Sequence, residues 1–460
     1  VKRITIEYKD LQSLSDVELL NVPASIDITK VSTDTRSIKK GSLFVALGGE
    51  SFDGHNFIAE AVKKGASAIV VSKKKLPSVK VRKTPVIAVE NTMLALGELA
   101  NCWRKKFTGK VIAITGSNGK TTTKETLAVI LRERYKVVAT SKNNNNQIGV
   151  PLTIFQVTNE DDYLILEMGT NHPGEIEYLA EVAQPDLALI TNIGASHLEF
   201  LGSVKGVRRE KTSLFKVTDK CGGTVFINID DKELKPLTKE YKKAVLFGSK
   251  NSADVVGKLK GYNKSGYPIV SIDGEKIFEV ALPVYGKTNV LNVLAASAVA
   301  LHEGVSKQEI VHGIRAMANP KQRLEPKEFP NGLLLDDTYN ANPESMLAAF
   351  DALRNIKEYK NKWLVLGDMF ELGENGPKLH KNLAAQLMKI PDIRVFTVGE
   401  LMYNLFKELK KYYVPVWHAH DRATLKANIA ETDFSNSVVL VKGSRGMKME
   451  EFVQQILEKY

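Results

Sequence analysis

The stretch Val111–Glu125, VIAITGSNGKTTTKE, constrains this chain most. Val111–Thr115 is a short β-branched, apolar run, which predicts a buried strand. Gly116, Ser117, Asn118 and Gly119 form a turn. Lys120, Thr121 and Thr122 then open a helix that continues through Leu127, Val129 and Ile130. Strand, glycine loop, Lys-Thr and helix together make a phosphate cradle. Backbone N–H groups and the positive helix end meet the phosphates, Lys120 reaches the terminal ones, and the Thr121 hydroxyl can hold Mg²⁺. The common spacing of such loops would put a glycine at position 114, where this chain has Ile114. The loop is therefore a shortened GxxGKT, and by itself it leaves the class of protein open.

A chain of 460 residues has room for about three domains. Hydrophobic residues at 43% and charged residues at 25% are ordinary for a globular protein. No apolar run reaches the length of about 18 residues that a membrane span needs, and the start, VKRITIEYKDL, is charged and alternating rather than signal-like. The only cysteines are Cys102 and Cys221, with no CxxC or Cys/His cluster. That pattern points to a reducing, cytoplasmic setting and away from a disulfide scaffold or structural zinc. The net charge of +11 fits nucleic-acid binding, attraction of nucleotides, or a lysine-rich solvated surface. The lysines fall in short clusters without interleaved Arg and aromatics, which favours the solvated surface.

Residues 1–87 predict a small α/β unit. A strand lies within 41–49, a helix at Phe57–Lys64 and a strand at Ala66–Val71. Before them, Thr35 and Arg36 sit in VSTDTR, a grouping that suits anion or nucleotide binding, although a surface-turn salt bridge is the commoner use of such a group. Residues 88–318 predict a helix at Thr92–Lys106, then buried strands at Tyr163–Met168, Leu187–Ile193 and Gly223–Ile229 alternating with helices. Such alternation predicts a mainly parallel sheet. Val255–Val280 predicts antiparallel hairpins with turns at Asn263–Gly266 and Asp273-Gly274, followed by an alanine-rich helix at Asn289–Leu301. Residues 319–460 predict a third, doubly wound α/β unit with strands at Leu333–Asp336, Trp363–Leu366, Val395–Val398 and Ser437–Val441.

In open α/β sheets, ligands bind at the carboxyl ends of the strands. Glu167 closes the run YLILEM and His197 follows LITNIGAS, so both can converge on the phosphate loop. A carboxylate there holds Mg²⁺ directly or through water, and a neutral histidine serves a second metal. A capped carboxylate and a loop histidine without a ligand are the plainer alternatives. Lys211, in RREKTSLF, reads locally as a solvated lysine.

Together these segments resemble the Mur ligases, ATP-dependent amide-bond-forming enzymes of peptidoglycan precursor synthesis. The loop TGSNGKTT, the stretch EMGTNHPGEI, the segment NIGASHLEFLGS and the lysine of REKTSLF carry the resemblance, in that order. The segments NNNNQIGVP (143–151), DDTYNANPESM (336–346), LGDMFELG (366–373) and VKGSRGMKM (441–449) are similar to the member that adds D-alanyl-D-alanine to UDP-N-acetylmuramoyl-tripeptide. STDTRSIKKGSLFVALGGESFDGHNFI, beginning at Ser32, is similar to it as well.

The resemblance implies an N-terminal domain (1–87) for the muramoyl peptide, a central ATP domain (88–318) and a C-terminal Rossmann-like domain (319–460) for the amine substrate. It places Lys120 on the ATP phosphates and the migrating γ-phosphoryl. Thr121, Glu167, His197 and a carbamylated Lys211 serve Mg²⁺. Asn289 and Asn292 stand beside the adenine, Arg323 and Asp337 close over phosphates and ribose, and Asn342 lies near the nucleotide. Lys442, Ser444 and Arg445 receive the carboxylate of the incoming amine. Thr35 and Arg36 lie in the uridine region, and Asn144 and Asn146 in a loop facing the muramoyl peptide. The chain departs from the family at Thr288, where histidine is frequent, at Gln322, where glycine is, and in DTR for DSR. The implied protein is a monomer that binds no nucleic acid.

Two other readings stay in view: a sister ligase that adds a single amino acid, and a basic P-loop ATPase acting on nucleic acid. NNNNQIGVP and DDTYNANPESM argue against the first. The second predicts a basic stripe and ATPase activity stimulated by DNA or RNA.

Overall fold

The computed structural model describes residues 4–49, 52–81, 83–273 and 278–460. The first three residues, Glu50 and Ser51, and Gly274 of the expected hairpin turn lie outside them. The chain forms a mixed α/β structure of three successive parts, each built on its own main sheet.

The first part holds a five-stranded sheet in the order Glu18–Leu20, Val86–Val89, Ala68–Ser72, Ser42–Val45, Lys30–Ser32. Its first pairing is antiparallel and the rest are parallel. A small antiparallel pair, Ile4–Glu7 with Ser25–Ile28, packs beside it.

The central sheet is a parallel array with an antiparallel edge. Its order is Phe278–Ala281, Pro268–Asp273, Val255–Tyr262, Val245–Gly248, Thr224–Asn228, Leu187–Ile190, Lys110–Thr115, Tyr163–Glu167, Val137–Ala139. Alternate residues of a strand face opposite sides. Val111 and Ala113 accordingly join one core, and Ile112 and Ile114 join another. Helices cover both faces, which is why these strands read as continuous apolar runs. The helices Lys120–Arg132, Thr288–His302 and Lys307–Arg315 cover one side.

The other face of the central sheet has no core of its own. Val111, Ala113, Leu164 and Leu166 share one apolar cluster with Ile4, Leu11, Val31, Leu43 and Val70 of the first part. The helix Thr92–Lys106 lies between them. It packs against Ala68–Ser72 on one side and against the helices Gly149–Ile154 and Glu175–Ala183 on the other. Asn91 caps its first turn by accepting from the N–H groups of Met93 and Leu94, a use of the N-cap that satisfies otherwise orphaned donors.

The third part is a six-stranded sheet in the order Glu325–Phe329, Gly332–Asp337, Ser437–Lys442, Asn361–Gly367, Ile393–Val398, Val416–Ala419, parallel except at its first pair. It is covered on both faces by separate clusters. The expected strands and helices are present, with ends shifted by one to three residues: the strand expected at Leu187–Ile193 stops at Ile190, and the residues after it form loop.

Candidate active site

The strand Lys110–Thr115 ends at Gly116, and the helix Lys120–Arg132 begins at Lys120. Between them Gly116 has φ +149° and Gly119 φ +82°, backbone that L side chains rarely adopt. A Cβ at Gly116 would also strike the Thr191 hydroxyl, and one at Gly119 would strike the Asn292 amide. Two neighbours therefore fix the loop as tightly as its own sequence does.

The segment 191–196 braces the loop from the adjacent strand end. The Ser117 N–H donates to the Asn192 carbonyl at 2.9 Å, and the Asn118 N–H donates to Asn192 Oδ1 at 3.0 Å. Asn192 Nδ2 donates back to the Asn118 carbonyl at 3.0 Å, and the Gly194 N–H donates to Ser117 Oγ at 2.9 Å. Ser196 Oγ donates to Ser117 Oγ at 3.0 Å. Asn192, Gly194 and Ser196 are site residues that local motif reading does not single out. Their only signal was the polar string NIGAS after an apolar strand.

Lys120 Nζ donates to the Gly116 carbonyl at 2.7 Å, so the lysine folds back over the cradle. Burial lowers its ammonium to about 8; Glu167 opposes the shift and Arg323 adds to it. Glu167 is buried at the end of Tyr163–Glu167. Its Oε1 accepts from Asn145 Nδ2 at 2.9 Å, and its Oε2 is buried without a hydrogen-bond partner.

Lys211 corrects the local expectation of a solvated lysine. It is 1% exposed, on the inward side of the helix Val204–Lys220. Burial lowers its pKa well below the ordinary lysine value, Lys120 lowers it further, and Glu210 opposes both. The amphipathic pattern of that helix cannot distinguish a lysine on the apolar side from its exposed neighbours.

An orphaned carboxylate oxygen in a low-dielectric pocket is a cation's ligand in waiting. Among the described residues no group of three or more His, Cys, Asp and Glu forms a metal cage. Mg²⁺ does not need one, since it keeps several waters and takes one or two carboxylates. Glu167, close enough to Lys120 for its charge to act on that ammonium, fits that demand. His197, 22% exposed at its side chain, stands at the start of the short helix Leu198–Leu201 with φ +52°.

The third part reaches over this cradle. Asn342 caps the helix Pro343–Asn355 by accepting from the Ser345 N–H, and its Nδ2 donates to Asn118 Oδ1 at 3.0 Å. Glu344 Oε1 accepts from the Ala195 N–H at 2.9 Å. Glu371 Oε2 lies 2.8 Å from His197 Nδ1. The Arg323 guanidinium sits 4.1 Å over the Tyr339 ring, close enough to the cradle for its charge to act on Lys120.

The remaining expected residues divide. Asn289 Nδ2 donates to the Tyr285 carbonyl at 2.6 Å, and Asn292 Nδ2 donates to Asn289 Oδ1 at 2.9 Å. This pair backs the phosphate loop. Asp337 is buried and bonded to Lys442 Nζ at 2.6 Å. Burial raises the Asp337 carboxyl, with Lys442 and Arg323 pulling the other way. Lys442, 2% exposed, also donates to the Asn340 carbonyl at 3.0 Å. Ser444 Oγ accepts from the Phe370 N–H at 2.8 Å. Arg445 is exposed, and its Nη1 donates to Gln322 Oε1 at 3.1 Å. Arg445 is therefore the open cation of that trio.

Thr35 is buried, while Arg36 spends its guanidinium on Asp34, 2.7 Å away, in an exposed turn. Asn144 donates to Ser141 Oγ, and Asn146 Oδ1 accepts from the Ile148 and Gly149 N–H groups where the helix Gly149–Ile154 begins. It is Asn145, between them, that reaches the catalytic pocket. A run of four asparagines offers no register by which to choose among them.

A shortened phosphate loop at the carboxyl ends of a parallel sheet, covered by a second α/β layer, defines a nucleotide-using enzyme with a separate third module. Three family models match the chain in order: "Mur ligase family, catalytic domain" over residues 27–104, "Mur ligase middle domain" over 114–300, and "Mur ligase, glutamate ligase domain" over 322–445. A UDP-N-acetylmuramoyl-tripeptide–D-alanyl-D-alanine ligase of Bacillus subtilis (strain 168) is 34% identical over 431 residues, covering 93% of each chain. A crystal structure of MurF from Acinetobacter baumannii superposes with TM-score 0.89 at 31% identity over the full length of both chains. The MurF ligase from Thermotoga maritima, solved in complex with ADP, superposes at 0.82 with 29% identity, over 94% of this chain and 97% of that one. The chain belongs to the Mur ligase family.

Proposed function

We propose that this protein joins D-alanyl-D-alanine to UDP-N-acetylmuramoyl-tripeptide, with ATP converted to ADP and phosphate, in peptidoglycan precursor synthesis. The observation that carries this reading is the convergence of Lys120, Glu167, Lys211 and Arg323 on one cradle beneath the third domain. The near full-length likeness to the Bacillus subtilis and Acinetobacter baumannii enzymes supports it. Residues 1–87 take the muramoyl peptide, 88–318 the ATP and 319–460 the amine, and the protein acts as a cytoplasmic monomer. No helix among the described residues is long and apolar enough to cross a membrane.

In the first step the peptide's terminal carboxylate attacks the γ-phosphorus of ATP and ADP leaves, giving an acyl phosphate. In the second, the free amine of D-alanyl-D-alanine attacks the acyl carbon, phosphate leaves and the amine loses its proton. An anion approaching a triphosphate meets repulsion, and preorganised cations at the developing charge relieve it. Lys120 leaves the Gly116 carbonyl for the β- and γ-phosphates, and Arg323 approaches the same oxygens from the third domain. Thr121, Glu167, His197 and the carbamate of Lys211 would hold Mg²⁺, which neutralises phosphate charge when bound. Asn289 and Asn292 hold the loop and the nucleotide from behind. Asn342 reaches the loop through Asn118, and Asp337 faces the ribose. Arg445, with Ser444 and Lys442, takes the dipeptide carboxylate. Thr35 and Arg36 serve the uridine end, and Asn144 and Asn146 the muramoyl peptide. Closure keeps water from the acyl phosphate.

A buried, neutral Lys211 amine is the form that adds to CO₂: the nitrogen bonds the carbon, a proton leaves, and a cation site becomes an anion. The deciding experiment is phosphate release with ATP and UDP-N-acetylmuramoyl-tripeptide, with and without D-alanyl-D-alanine. Release that requires the dipeptide is expected, and release indifferent to it overturns the assignment. Activity lost in CO₂-depleted, mildly acidic buffer and restored by bicarbonate is expected for the carbamate.

A further inference from the structure

The loop after Asn361–Gly367 is pinned residue by residue within the third domain. Asp368 accepts from the Met402 N–H at 2.7 Å, the Met369 N–H donates to His380 Nε2 at 2.9 Å, and the Phe370 N–H donates to Ser444 Oγ at 2.8 Å. Glu371 comes next and breaks the pattern. Among the described residues its paired side chain is His197, in the central domain. Both residues hold left-handed backbone, φ +61° at Glu371 and φ +52° at His197. Such conformations in non-glycine residues persist where surrounding structure enforces them, and they gather at functional sites. Here two of them face each other across a domain boundary. His197 Nδ1 is buried without a hydrogen-bond partner, and the Glu371 oxygen stands 2.8 Å from it, at ion-pair distance but not aligned as a hydrogen bond.

The geometry points to Glu371 as a positioning residue for His197. When the third domain closes, the carboxylate engages Nδ1, sets the tautomer with Nδ1 protonated, and leaves Nε2 as the ligand face toward the phosphate site. Metal-ligating histidines characteristically give their other nitrogen to a carboxylate in this way, and losing such a partner costs roughly 10–100-fold in metal affinity or activity. The pinning of Phe370 on Ser444 adds a consequence. The residue that orients the histidine is joined, one position back, to the wall of the amine site. Filling the amine site and completing the metal site then belong to one movement.

This inference rests on the reading of His197 as a metal-site residue, so the test separates the two. Mn²⁺ affinity is measured by electron paramagnetic resonance on the full chain with a non-hydrolysable ATP analogue and UDP-N-acetylmuramoyl-tripeptide. Glu371→Gln is expected to weaken Mn²⁺ by about 10-fold or more. His197→Ala should weaken it at least as much, and the double variant no further than His197→Ala alone, because the two act as a unit. Glu374→Gln, exposed on the same loop, should leave Mn²⁺ affinity unchanged. Unaltered affinity in Glu371→Gln alongside a loss in His197→Ala overturns the role of Glu371 alone. No loss in His197→Ala overturns the reading of His197 and this inference with it. An equal loss in Glu374→Gln shows disruption of the whole loop and also overturns the inference.

Discussion

The central domain meets its two neighbours in opposite ways. Toward the first domain it shares a single apolar cluster, with Leu11, Val31 and Val70 packed into the same core as Leu96, Val111 and Leu164. Toward the third domain it lends only Tyr285, with Tyr267 packed beside it, to the neighbour's apolar cluster, and the contacts at the active site are polar: Asn118 with Asn342, Ala195 with Glu344, His197 with Glu371. Burial of apolar surface is hard to reverse in water. A hydrogen bond to an exposed partner is exchanged for one to water at little net cost. The first interface is therefore the costlier of the two to separate, and the active-site contacts of the second are the cheaper.

Four measurements press on that contrast. Leu96→Ala deletes a fully buried side chain from the shared core and is expected to cost about 2–5 kcal/mol. The loss should appear in denaturant unfolding as one transition in which the first and central domains melt together. Two separated transitions would show that the core is not shared in energy. Arg323→Ala acts across the other interface and should lower kcat by about 10²-fold, as for a lost transition-state donor, with little change in the unfolding midpoint. A change confined to KM for ATP would remove Arg323 from the phosphoryl-transfer step.

Glu344→Ala removes the carboxylate that accepts from the Ala195 N–H. Such charge-assisted bonds contribute about 1.5–3 kcal/mol; for a carboxylate as exposed as Glu344 the lower end applies, so kcat should fall about tenfold, through weaker closure. Small-angle scattering with the nucleotide analogue bound should report a more open average shape. The smallest effect concerns pH. Burial lowers the Lys120 ammonium to about 8, whereas contact with phosphates holds it charged. Below that value the free enzyme is already protonated and binding is indifferent to pH. Above it ATP binding must take up a proton, so affinity falls, by about fourfold between pH 7 and 8.5. Calorimetry in buffers of different ionisation enthalpy measures the uptake directly, and its absence would show that Lys120 does not move onto the phosphates.

The same contrast marks what the sequence made legible. Local patterns sufficed for the strand–loop–helix at Lys110–Arg132, the isolated carboxylate Glu167 and the helix Thr92–Lys106, because each is written in contiguous residues. Asn145 was hidden by its identical neighbours. Lys211 was hidden because hydropathy assigns a lysine to solvent, and only a partly buried site for charge gives it another place. Glu344 and Glu371 were out of reach for a different reason. Their partners, Ala195 and His197, lie 149 and 174 positions away respectively. No periodicity connects residues that meet only across two domains. Arg36 shows the converse. Its grouping allowed either an anion site or a surface salt bridge, and the structure pairs it with Asp34.

The fit of Thr191 against Gly116 has a consequence for descent. A side chain at 116 needs both a relaxed backbone and a smaller residue at 191. A lineage must therefore shrink 191 first, because the reverse order passes through an intermediate with a displaced phosphate loop. The loop fixes the order in which its two neighbours can change.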